Sequence, residues 1–113
     1  MDRPVLVYTT YPSLVEAEQA GRLLVENGLA ACVNILPGMR SIYRWQGKVE
    51  NAEEVVMIVK TKDTQKEAVA KEVKHNHSFD TPAILFLPAE GGDRAYIDWI
   101  ISESNGQGIS RKA

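Results

Sequence analysis

Cysteine occurs once in these 113 residues, at Cys32. That excludes an internal disulfide and suits a reducing compartment, so the cytoplasm is the expected location. No apolar run approaches the roughly 20 residues that span a bilayer. The opening MDRPVLVYTTYP enters strand-like sequence directly and does not read as a signal peptide. Positive charge is not in excess. Thirteen Lys and Arg face 15 Asp and Glu, a net charge of −2, so nothing draws the chain as a whole to nucleic acid or an anionic membrane. Phosphate-loop, nucleophile-elbow and dinucleotide motifs are absent. The stretch TTYPSLVE after the first apolar run holds neither the Gly nor the Arg of an anion cradle. No spacing assembles a nucleophile, a base and an oxyanion donor, so the chain reads as non-enzymatic.

What is present reads as one domain, residues 1–113, with a tail (105–113, NGQGISRKA) expected to be mobile. Pro4 to Thr10 is a short β-rich run. Ser13-Leu14-Val15-Glu16 matches a capping box and opens a helix that presents Ala17, Ala20, Gly21 and Leu24 on one face. Asn27-Gly28 stops it. Ala31–Trp45 and Lys48–Thr61 are two long extended arms around a Gln46-Gly47 turn, interrupted once by Pro37-Gly38. A second capping box, Thr64 to Glu67, opens a thin helix ending near Lys74 with Ala68, Val69 and Val73 inward. His75 to Thr81 reads as a polar loop, and Pro82 to Leu87 as a buried strand. The last signal is Asp93, the expected N-cap of a third helix carrying Ile97, Ile100 and Ile101.

The order strand, helix, strand, strand, helix, strand, plus a helix, is an α+β, ferredoxin-like βαββαβ sandwich with a long β2–β3 hairpin and an extra C-terminal helix. Helices are expected on one sheet face. The hairpin overhangs a small domain and leaves apolar groups exposed unless another chain covers them, which predicts an oligomer built by strand pairing. RNA-binding domains of this shape stack bases on aromatics of a central strand, and VVMIVKT has none.

Four places could carry function. Cys32 lies among apolar neighbours and reads as a small buried hydrophobe, since a reactive thiol needs a base or cation beside it. His75 and His77, with Asp80, could be part of a metal site completed by another subunit. They could equally be a pair of histidines at a helix end, where positive charge is favoured, and the residues alone favour the second reading. Tyr43 and Trp45 share one strand face and Lys60 sits on the partner strand. Aromatics with one cation suit a small anion in an intersubunit cleft, or simply an interface. Glu50, Glu53 and Glu54 read as a solvated edge.

Several stretches, in order, resemble the CutA divalent-cation-tolerance family: Leu29-Ala30-Ala31-Cys32-Val33-Asn34 with Pro37-Gly38, Ser41 to Lys48, Lys60-Thr61, His77 to Pro82, and Tyr96 to Ile100. The resemblance implies a tight homotrimer with hairpins paired between chains. It also implies a role in tolerance of divalent metals, with copper (Cu2+) or another divalent cation weakly bound. Its architecture is similar to that of PII signalling proteins, whose effectors bind between subunits. That gives an alternative role, sensing a small anion near Tyr43, Trp45, Lys60 and Cys32. A further alternative is a structural trimer acting through a protein partner. The chain departs from the pattern at four positions. Thr9 stands where some relatives carry Cys, Asn76 where some carry His, Phe79 where Tyr is common, and Ala83 where Glu often follows the proline. His77 is the one ligand carried over.

Overall fold

The computed structural model describes residues 2–106. Its elements are β1 (Pro4–Tyr11), α1 (Leu14–Glu26), β2 (Cys32–Trp45), β3 (Lys48–Lys62), a 3-10 turn (Asp63–Gln65), α2 (Lys66–Asn76), β4 (Ile84–Pro88) and α3 (Arg94–Glu103). The four strands form one sheet in the order β2-β3-β1-β4, antiparallel at every junction. This is the expected ferredoxin-like arrangement with its extra helix.

Side chains alternate across each strand, so the pairing register assigns the two faces. Val7 lies opposite Val59 and Phe86, and Thr9 opposite Met57 and Ile84. Val7, Met57 and Val59 belong to the core, together with Ala17, Ala20 and Leu24 of α1 and Val69 and Val73 of α2. Ala20 and Gly21 let α1 come down close to the sheet. The other face carries Leu6, Tyr8, Leu36, Leu85 and Leu87 in the same registers. Leu85 is 62% exposed and Leu87 47%. The expectation that helices cover one face only is corrected at one end. Lys60 and Lys62 alternate with the buried Val59 and Thr61, yet Lys60 meets Tyr96 and Lys62 meets the Ile101 carbonyl, both on α3.

The hairpin forms as expected. Gln46 (φ 51°) and Gly47 (φ 81°) both take the left-handed backbone that a two-residue hairpin turn needs. The register slips between Leu36 and Met39, where Pro37 and Gly38 sit. Only Val55–Lys62 of β3 pairs with β1, so the arm from Lys48 to Glu54 pairs with β2 alone.

Three local expectations change. The second capping box does not form. Thr64 is turned toward Asp2, whose carboxylate accepts from its hydroxyl (2.6 Å) and its N–H (3.2 Å), and α2 starts at Lys66 after a 3-10 turn. α2 runs on to Asn76, so His75 is helical and not in a loop. β4 starts two residues late, at Ile84. Residues 107–113 of the expected mobile tail lie outside the described residues. Gly106 is described, and its N–H donates to the Gly28 carbonyl at 2.7 Å.

Candidate functional site

His77 follows α2, and its extended backbone (φ −85°, ψ 143°) turns the imidazole under the end of β1. The side chain is fully buried. It stacks on Tyr11, with ring centroids 4.4 Å apart and planes 15° from parallel, and the Phe79 ring lies tilted against it at 4.9 Å. Both ring nitrogens are engaged. The Phe79 N–H donates to Nδ1 at 3.0 Å, which leaves the proton on Nε2 to donate to the Thr10 carbonyl at 2.7 Å.

Glu16 supplies the negative charge at this place. Ser13 caps α1 by accepting from the Glu16 N–H at 3.2 Å, as the motif predicts. The reciprocal half of the box is not made. Glu16 Oε1 accepts from the Ser78 hydroxyl (2.9 Å) and Oε2 from the Ser78 N–H (3.0 Å). Oε2 also lies 3.8 Å from His77 Nδ1. Burial, followed by the Glu16 charge, pushes the Tyr11 hydroxyl well above the usual tyrosine range. The hydroxyls of Thr9 and Tyr11 are both buried without a hydrogen-bond partner.

A second cluster lies at the root of the hairpin. Cys32 is opposite Lys60 in register and half-buried. Lys60 Nζ donates to Tyr96 Oη at 2.8 Å, and Tyr96 stacks with Trp99 at 5.6 Å. The bond to Tyr96 raises Lys60 above the usual lysine value against the opposing effect of burial, with Cys32 adding to the rise. Because Tyr96 accepts from Lys60, its own O–H is free to donate, so two donors converge beside an aromatic wall. That set suits a small anion. Tyr43 and Trp45 are not part of this cluster within one chain. Tyr43 is opposite Glu50 in register, ten residues along β3 from Lys60, roughly 33 Å away at strand rise. Only a second chain can bring the hairpin tip and Lys60 together.

The family model described as CutA1 divalent ion tolerance protein matches residues 5–103. The chain belongs to the CutA1 family. The divalent-cation tolerance protein CutA of Pectobacterium atrosepticum is 41% identical over 103 residues, covering 88% of this chain and 94% of that protein. The solved structure of the periplasmic divalent cation tolerance protein CutA from Archaeoglobus fulgidus superposes with a TM-score of 0.86 at 44% identity, covering 93% of this chain and 100% of that one. The chloroplastic CutA 1 of Oryza sativa is 38% identical over 96 residues, 85% of this chain, but this chain spans only 54% of that protein.

CutA1 membership raises the question of a metal ion, and the donor set near His77 does not fit one. Both imidazole nitrogens and both Glu16 oxygens hold hydrogen bonds inside the chain. Of the positions singled out in the sequence, Thr9 carries only a buried neutral hydroxyl and Ala83 no side-chain donor. His75 stays on the exposed last turn of α2. Among the described residues no three of His, Cys, Asp and Glu come together. A metal site wants three or four such ligands.

Glu16, Tyr11 and Ser78 are not legible as site residues in the sequence. Glu16 has a sufficient local explanation as the fourth residue of a capping box, and nothing in the sequence ties position 16 to position 78. Tyr96 and Trp99 do carry a signal, the spacing of three that places two aromatics side by side on a helix.

Proposed function

We propose that this CutA1-family chain works as a non-enzymatic, strand-paired homotrimer that serves divalent-cation tolerance through surfaces formed between copies. The observation that carries this reading is the overhanging hairpin. Among the described residues Lys48–Glu54 leaves one backbone edge without a strand partner, and the tip exposes Ile42 (78%), Val49 (66%) and Trp45 (57%). An unpaired edge beside apolar side chains is a template for another strand. The open sheet face adds the exposed leucines Leu85 and Leu87 of β4. The reading puts any cation contact between chains, because the His77 and Glu16 donors are already occupied within one chain. The half-buried free thiol of Cys32 supports a cytoplasmic setting. Light scattering on a size-exclusion column tests the assembly. The expected mass is three times the 12.5 kDa of one chain, and a stable monomer at micromolar concentration would reject it.

The Lys60–Tyr96 bond favours a second role on the same assembly, a small-anion sensor with Lys60 and Tyr96 as donors and a neighbouring hairpin tip as the wall. A small dicarboxylate is then expected to raise the melting temperature of the wild type and not of Lys60→Gln. Equal shifts in both proteins would remove Lys60 from any such site.

A further inference from the structure

We infer that His77 in this chain is the pin of a closed loop latch, with Glu16 and Ser78 as its clasp, and does not hold a resident divalent cation. Three features converge on this.

The first is saturation. Neutral imidazole has one donor and one acceptor, and Thr10 and Phe79 take both. A metal at Nδ1 would displace the Phe79 N–H and leave a backbone donor without its partner. A metal at Nε2 would displace the Thr10 carbonyl at the end of β1. Neither site is free for a ligand bond unless the segment after α2 moves.

The second is enclosure. The imidazole has no exposed surface, with the rings of Tyr11 and Phe79 both packed against it. A carboxylate or thiolate from another copy therefore cannot reach either nitrogen while the rings stay in place. This argues against a shared site completed by assembly as well as against one within the chain.

The third is the clasp. Glu16 sits in the first turn of α1, held there by the Ser13 cap, and grips the backbone and side chain of Ser78 together. Two bonds to one carboxylate fix the loop to α1, and the His77 bond to Thr10 fixes it to β1. The charge that elsewhere could serve a cation is used here to close the loop that leads into β4. Nothing in the latch depends on the number of subunits, so a failure of the trimer reading leaves it intact.

Copper and zinc binding with a stability readout tests the inference. The metal-free full chain, His77→Gln and Glu16→Ala are titrated with copper(II) against a competing chelator, and melting is followed at one protein concentration. The expected result is the same copper stoichiometry and affinity in wild type and His77→Gln, with the melting temperature lowered by at least about 4 °C in both variants. Loss of a binding equivalent in His77→Gln would overturn the inference. An unchanged melting temperature in Glu16→Ala would overturn the clasp. If His77→Gln does not fold, long-range imidazole nitrogen spectra of the wild type decide. An Nε2–H tautomer unmoved by one equivalent of zinc supports the latch, and a zinc-dependent shift of the His77 nitrogens refutes it.

Discussion

At position 21 the chain has no side chain, and the reason lies across the helix–sheet contact. A Cβ there would stand 2.7 Å from Val33 Cγ2 and 3.2 Å from Met57 Sδ. Alanine improves helix propensity by about 1 kcal/mol, whereas overpacking a tight core costs about 1–3 kcal/mol. Met57 is fully buried and Val33 is stiff at χ1, so neither yields easily. Gly21→Ala is expected to destabilise the fold by about 1 kcal/mol, read as a lower urea midpoint at unchanged slope. A raised midpoint would show that Val33 moves aside freely. The small-residue face of α1 is legible in the sequence because helical spacing is a local property. The Glu16–Ser78 clasp is not, because that contact joins residues 62 apart.

Among the elements, β1 and α2 are tied at their starts by one side chain. Burial works against the charge on Asp2, but the bonds from the Thr64 hydroxyl and N–H, with Lys62 and the Arg3 backbone, outweigh it and hold the carboxyl below the usual aspartate range. The folded chain thus binds this proton less tightly than the unfolded chain. The contribution is complete above the ordinary value, about 3.9, and is lost as pH falls through the lower folded value. Asp2→Asn is expected to cost about 1 kcal/mol at neutral pH, below the usual range for a bond to a charged group because the contact is solvent-exposed. Urea unfolding at pH 7 and pH 3 checks it, and the gap between the two proteins should narrow at the lower pH. A constant gap would assign the effect to something other than the carboxylate charge. The element order, the hairpin with its Gln46-Gly47 turn and the Ser13 and Asp93 caps are all legible in the sequence, since each rests on short-range chemistry. The Thr64 cap is misleading there because Asp2, distant in sequence, competes for the same hydroxyl and N–H.

For the molecule as a whole, the open sheet face makes the assembly reading discriminating. Leu85 is mostly exposed in one chain, so Leu85→Glu would change a monomer's stability by no more than about 0.5 kcal/mol. If the copies meet across this open face, the same charge would be buried without a partner. Light scattering on this variant is therefore expected to show subunits of 12.5 kDa that remain folded. A trimer of unchanged mass would place the interface elsewhere. The overhanging hairpin also bears on the order in which the chain folds. β2 and β3 are joined by a two-residue turn, whereas β1 must find β3 across pairs such as Pro4 with Lys62. Contacts close in sequence form sooner, because closing a short loop costs less chain entropy. A newly made chain would then present the ribbon Cys32–Lys62 before the rest of its sheet exists, with both backbone edges open. That early ribbon is the species most exposed to premature aggregation, and how quickly β1 docks along it sets how long the hazard lasts.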